Sequence, residues 1–242
     1  MSGARGTTDE GGLRRNVLCG LVAGALMTAL TGAADQPRAK PRLAIVALGD
    51  STTAGTPDFQ SPVEAPPAGR GNIQSQYAHW MTQRHPEWCV LNRGVNGERT
   101  DEIFRRFARD VAAVSPQIVI ILAGVNDLYR GAPAARVEQQ LRRLYGQARR
   151  AHIIVIACTI LPYNGMSEAV RQQMAEVNVW IRDYSREQGL LFCDAFHAVE
   201  DPAQPWHLRG TPDGLHPDVD GYRRLGEALT TIIEQLPIAN QL

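Results

Sequence analysis

From residue 41 onward, short continuous apolar runs alternate with longer segments whose apolar residues recur at three- and four-residue steps. The runs at 43–48, 89–92, 118–122, 153–158 and 190–194 predict strands, each nearly unbroken in apolar side chains, as a strand buried on both faces of a parallel sheet is. The segments 74–85, 100–114, 134–151, 166–188 and 219–236 predict helices. In the last of them Leu225, Leu229, Ile232 and Ile233 make one apolar stripe. Five strands, each followed by a helix, predict an α/β fold with a parallel sheet covered by helices. Two connections break the spacing. Residues 52–73 are rich in proline and glycine, and residues 196–217 join the last strand to the last helix. A connection as long as the first is, in a compact domain, usually either functional or disordered. Both would leave the carboxyl ends of strands, where open α/β sheets bind ligands.

The amino-terminal 34 residues follow another pattern. Arg14 and Arg15 precede a run from Val17 to Leu30 that holds no charged residue, and the small residues Gly32, Ala33 and Ala34 follow it. A transmembrane helix needs roughly 20 apolar residues, so this run is short for a span and fits a cleavable export signal. Arg14-Arg15 followed by Asn16, Val17 and Leu18 also resembles a twin-arginine signal. The expected organisation is therefore an export signal at 1–34, a linker at 35–40, one globular domain at 41–238 and a tail at 239–242. The expected location is periplasmic or secreted, or cytoplasmic if the leading segment is not a signal.

Charge and composition narrow the choice of partner. The 242 residues carry 25 basic and 25 acidic side chains, and 44% are hydrophobic, enough for one self-sufficient core. Balanced charge gives no global attraction for nucleic acid or an anionic membrane. Three cysteines, Cys89, Cys158 and Cys193, fall within apolar strand runs, and no Cys/His spacing suggests a metal. No cofactor is expected.

The chemistry-bearing residues lie at the ends of the predicted strands. The first strand runs into Gly49-Asp50-Ser51-Thr52, which places a serine hydroxyl in a turn. It is not a G-x-S-x-G elbow, because Thr53 stands where the second glycine belongs. Near the other end of the chain, Asp213-Gly214-Leu215-His216-Pro217 precedes the last helix. A serine becomes a useful nucleophile when an imidazole takes its proton, and the imidazole needs an acceptor to fix its tautomer. Asn126, in Gly124-Val125-Asn126-Asp127, could offer an amide to a developing oxyanion. The glycines of Asn92-Arg93-Gly94-Val95-Asn96-Gly97 allow close approach of bare backbone. Asp50 and Asp127 are read as fixing their own loops, with Asp50 and Tyr129 as candidate substrate contacts. Arg130 and Pro162 are further candidates for the pocket wall. His79, His85, His152, His197 and His207 lack a matching motif and are read as structural.

In these four segments the chain resembles the SGNH hydrolases, the GDSL-like lipase and acylhydrolase family. The signature residues map onto Ser51, Gly97, Asn126 and His216, over residues 43–236. Where that family often reads Gly-Asp-Ser-Leu, this chain has Thr52. The resemblance implies a flavodoxin-like three-layer α/β/α sandwich with strand order 2-1-3-4-5 and a site at the carboxyl edge. It implies Ser51 as nucleophile, His216 as general base oriented by Asp213, and an oxyanion hole from the N–H groups of Ser51 and Gly97 with the Asn126 side chain. The implied substrates are small-molecule, lipid or glycan esters. Two rival readings remain at this point: a flavodoxin-like phosphate- or nucleotide-binding module using residues 49–56, and an inactive glycan-binding relative.

Overall fold

A computed structural model describes residues 43–241, so the expected export signal and linker lie outside the described residues. Within them the chain runs β1 (Ala44–Gly49), α1 (Ser51–Ala54), β2 (Phe59–Gln60), β3 (Arg70–Gly71), α2 (Tyr77–Arg84), β4 (Cys89–Gly94) and α3 (Thr100–Asp110). It continues through β5 (Ile118–Leu122), α4 (Val125–Tyr129), α5 (Ala134–Arg150), β6 (Ile154–Cys158), α6 (Glu168–Gln188) and β7 (Leu191–Cys193). The last elements are α7 (Ala195–Val199), β8 (Glu200–Asp201), β9 (Gln204–Leu208) and α8 (Val219–Glu234).

The central sheet has five parallel strands in the order β4-β1-β5-β6-β7, which is the expected 2-1-3-4-5. Alternation along the strands splits the core into two layers. Val46, Leu48, Val119 and Ile121 face α3, α5 and α6 and pack with Phe107, Leu141 and Val177. Ile45, Ala47, Ile118 and Ile120 face α2, α7 and α8 and pack with Tyr77, Leu225 and Leu229. Burial on both faces holds for β5 and nearly throughout β1, but Cys89, Val90 and Leu91 of β4 and Leu191 and Phe192 of β7 are half-buried. These two strands are the sheet's edges, which carry less cover than its centre. Cys158 and Cys193 are unbridged thiols opposite one another on β6 and β7. Hydrogen bonding with Cys193, together with burial, pushes the Cys158 thiol well above its usual range.

Two of the long helices start at side-chain caps. Ser167 accepts from the Val170 N–H at the head of α6, and Asp218 accepts from the Gly221 N–H at the head of α8. The expected helix at 100–114 breaks after Asp110 into a 3-10 turn, Ala112–Val114, closed by Ser115 at positive φ. The expected helix at 74–85 begins as a 3-10 turn, Ile73–Ser75. The expected tail starts inside a further 3-10 turn, Pro237–Gln241, whose Ile238 and Ala239 pack on the core.

Both irregular connections contain a two-stranded antiparallel ladder, β2 with β3 and β8 with β9. The first is tied to the sheet by Ser61, whose hydroxyl donates to the Gly94 carbonyl at 2.6 Å. Gly94 packs so closely under α1 that an added Cβ would overlap the Ala54 backbone. That contact sets the height of the α1 turn above the end of β4. Among the described residues no helix is long and apolar enough to cross a membrane.

Candidate active site

Parallel pairing brings the carboxyl ends of β1, β4 and β5 to one edge, and the candidate residues stand there. Asp50 caps α1, accepting from the Thr52 N–H at 3.1 Å and the Thr52 hydroxyl at 2.6 Å. Ser51 is therefore the first residue of a helical turn, where its N–H has no partner within the helix. At the other end of the fold, Asp213 Oδ1 accepts the backbone N–H groups of Leu215 and His216, both at 2.9 Å. This turn, with Gly214 at positive φ, aims the imidazole inward. His216 Nε2 lies 2.9 Å from Ser51 Oγ, and His216 Nδ1 lies 2.7 Å from Asp213 Oδ2. Ser51 and His216 are 5% and 9% exposed, so water screens their contact little.

The two neighbouring carboxyls have opposite environments. Burial works to raise Asp213, but the His216 ring and the N–H groups of Leu215 and His216 outweigh it and hold the carboxyl below its usual range. It stays ionised, as an acceptor orienting an imidazole should. For Asp50, complete burial dominates and pushes the carboxyl up to about 6, against the Thr52 hydrogen bonds and the nearby His216. Its Oδ2 is buried without a hydrogen-bond partner. The expectation that Asp50 touches substrate is corrected here, because it is wholly buried beneath the turn and serves as its cap.

Asn126 is the second residue of α4, and its Nδ2 donates to the Glu98 carbonyl at 3.0 Å. One amide hydrogen is used in fixing the group, and the other remains for a ligand. Gly97 sits at positive φ with its carbonyl accepting from Arg130 at 3.1 Å. Asp127 does not fix its own loop as expected. It reaches across to accept the N–H and hydroxyl of Thr100 at 2.9 and 2.8 Å, joining α4 to the head of α3. Burial nonetheless raises its carboxyl above the usual range, against those bonds.

A cleft of about 170 Å³ opens at this edge. Its polar lining is Ser51, Thr52, Asn96, Asn126 and His216. Its apolar lining is Val125, Tyr129, Leu161, Pro162, Tyr163 and Leu215. Tyr129 and Pro162 thus stand where the sequence suggested, and Asn96, next to Gly97, lines the cleft with them. Leu161, Tyr163 and Leu215 were not singled out from sequence. Each stands beside a residue that the sequence does single out, Leu215 beside His216 and Leu161 and Tyr163 on either side of Pro162. Tyr129 and Leu215 are 62% and 43% exposed, a pair of large apolar side chains at the rim. A larger depression on α5, around Arg136 and Arg142, contains none of these residues. No group of three or more His, Cys, Asp or Glu side chains gathers as a metal site among the described residues. The hydroxyl-rich 49–56 segment is no open phosphate loop. Thr52 and Thr53 are buried, with their hydroxyls bound to Asp50 and to Tyr77.

Comparison with known proteins gives the same class. Residues 47–224 match the GDSL-like Lipase/Acylhydrolase family. A protein assigned to the lipolytic G-D-S-L family from Desulfitobacterium hafniense DCB-2 is 26% identical, covering 79% of this chain and 99% of its own, with a TM-score of 0.66. A GDSL-like lipase from Bacteroides thetaiotaomicron VPI-5482 is 20% identical over 80% of this chain and 89% of its own, with a TM-score of 0.64. An acetylxylan esterase from Geobacillus stearothermophilus is 23% identical over 78% of this chain and 93% of its own, with a TM-score of 0.62. No curated protein sequence matches the chain at a significant level. The fold and family define a hydrolase that acts on ester bonds. The chain belongs to the GDSL-like lipase/acylhydrolase family.

The Asp50 environment has a measurable consequence for stability. The folded chain holds this proton more tightly than an unfolded one, whose carboxyl titrates near the usual 3.8. The Asp50 contribution to stability therefore falls as pH rises from about 4 to about 6. Asp50→Asn keeps a capping oxygen and cannot ionise. It should gain about 2 kcal/mol relative to wild type on going from pH 4 to pH 7.5. Chemical denaturation of both proteins at the two pH values checks this, and a stability difference that does not change with pH would refute the assignment.

Proposed function

We propose that this protein is a serine esterase for small, uncharged acyl groups, with Ser51 as nucleophile, His216 as general base and acid, and Asp213 as the residue that orients the imidazole. The observation that supports it most directly is the unbroken hydrogen-bond chain from Ser51 Oγ through both ring nitrogens of His216 to Asp213. In this reaction Ser51 Oγ attacks the acyl carbonyl while its proton passes to His216 Nε2. The carbonyl oxygen becomes an oxyanion, held by the Ser51 and Gly97 N–H groups and Asn126 Nδ2. Collapse expels the alcohol, which receives the proton from His216. Water then repeats the sequence on the acyl-enzyme, releasing the acid and restoring the serine.

The cleft argues for the acyl class. A cavity of ~150 Å³ lined by apolar side chains accommodates benzene, so about 170 Å³ suits a chain of roughly four to six carbons. None of its lining residues is Asp, Glu, Lys or Arg, which leaves a charged acyl group without a partner. A second reading is drawn from the acetylxylan esterase of similar fold: an acetyl group on a sugar would also fit. Residues 1–34 fit this function as an export signal for an enzyme that meets its ester outside the cytoplasm. Sequencing the amino terminus of the soluble protein checks that part. A start near Ala34 is expected, and intact Met1 would refute it.

A chain-length series of p-nitrophenyl esters from acetate to palmitate, run beside acetylated xylan, tests the substrate class. Activity should peak at butyrate or hexanoate and fall at least ~10-fold at palmitate, because a longer chain must leave the cleft for water. A peak at palmitate would overturn the acyl assignment, and preference for acetylated xylan would favour the second reading. Ser51→Ala should lose at least ~10³ in kcat on every ester, and retained hydrolysis would put the nucleophile elsewhere.

A further inference from the structure

The residue that joins the segments around the cleft is not in the cleft. Arg106 lies midway along α3 with a side chain only 7% exposed, and its guanidinium spends its donors in several directions. Nη2 donates to the Gly49 carbonyl at 2.7 Å, and Nη1 donates to the Arg93 carbonyl at 2.7 Å and to Asp110 Oδ2 at 2.8 Å. Nε donates to Glu98 Oε2 at 2.5 Å. Gly49 is two residues before Ser51, and Glu98 immediately follows Gly97. The Glu98 carbonyl is in turn the acceptor that fixes Asn126 Nδ2 at 3.0 Å. One planar cation thus grips the backbone ahead of the serine, the end of β4 and the loop that carries the glycine. The asparagine hangs from that same loop.

We propose that Arg106 is a positioning residue that sets the spacing of the Ser51 turn, the Gly97 loop and Asn126, and so aligns the three oxyanion donors. The inference rests on the reading of those residues given under Proposed function. Catalytic donors act only when held near the position of the transition-state oxygen before it forms, within about 0.5 Å. Arginine suits this task because its five N–H groups leave a rigid plane in fixed directions, so acceptors on separate segments are held at fixed separations. A lysine carries the same charge but donates from a single flexible point and cannot span Gly49, Arg93 and Glu98 together. Asp110 completes the arrangement. Burial works to raise its carboxyl, but the Arg109 and Arg106 hydrogen bonds prevail and keep it below the usual range. An ionised Asp110 anchors the guanidinium from the helix side, leaving its remaining edges for the loops.

The test is steady-state kinetics of Arg106→Lys on a p-nitrophenyl ester, with the inhibition constant of a trifluoromethyl ketone that forms a tetrahedral adduct on serine. Misaligned oxyanion donors weaken the transition state and leave ground-state binding nearly untouched. The expected result is a kcat lowered ~10- to 100-fold with KM within about threefold of wild type, less than the ~10²–10³ typical for deleting one donor. The ketone inhibition constant should rise by the same factor as kcat/KM falls. A purely structural role predicts a lower melting temperature with unchanged kcat per folded molecule, and that result overturns the proposal. If the lysine variant does not fold, Glu98→Ala releases the same loop from Arg106 at a less buried position. It should lower kcat ~3- to 30-fold at constant KM, and wild-type kcat there equally overturns it. Ser51→Ala run beside them separates the two claims. Its retained activity would sink the esterase site itself, whereas a dead Ser51→Ala beside a fully active Arg106→Lys sinks only the Arg106 assignment.

Discussion

Everything at the candidate site depends on parallel strand pairing. When all five strands run the same way, their carboxyl ends share one edge, and chain segments far apart in sequence are delivered to it. Ser51 arrives just past the end of β1, and His216 arrives in the loop before α8, whose apolar face packs on the Ile45 and Ala47 face of the sheet. Their contact spans 165 residues of sequence and is set by the packing of α8 against α2 and the sheet, not by local geometry. Gly226 is part of that packing, since a Cβ there would crowd the Tyr77 carbonyl and the Trp80 side chain. The stability of this layer and the proximity of Ser51 and His216 are therefore one property.

Around that contact, burial decides what each carboxyl does. Asp213 sits at a half-open turn with three donors aimed at it and keeps its charge. Asp50 has the same side chain one residue from Ser51, yet it is sealed under the turn with one oxygen unpaired, and its charge is costly. Environment, more than residue type, divides the work between two acids in one site. The same principle separates Arg106 from its neighbour Arg105. Arg105 pairs with Asp101 at the surface, while Arg106 is drawn inside by backbone carbonyls.

The architecture was legible in sequence because buried parallel strands must be apolar on both faces, and the helices between them must each carry an apolar stripe. Ser51 and Asn126 stood out in motifs at strand ends, and Asp213 and His216 in a motif before the last helix, while strand order came only with the family resemblance those motifs carry. What escaped notice lacks a repeating signal. The single turn of α1 and the short ladders of the two long connections contain too few residues to show periodicity. Arg106 reads in sequence as one more basic residue on an amphipathic helix, since its carbonyl partners on β1 and β4 exist only after the sheet forms. Asp127 reads in sequence as a local loop residue for the same reason, because Thr100 approaches it only through tertiary packing.

The central claim is that Ser51, activated by His216, is the atom that attacks the ester. Labelling with a fluorophosphonate, followed by peptide mapping in a mass spectrometer, measures this directly. A single adduct should appear on Ser51, form in step with loss of activity, and be absent when His216 is replaced by Ala. Complete inactivation with the adduct on another residue, or labelling of Ser51 that proceeds equally well without His216, would contradict the account.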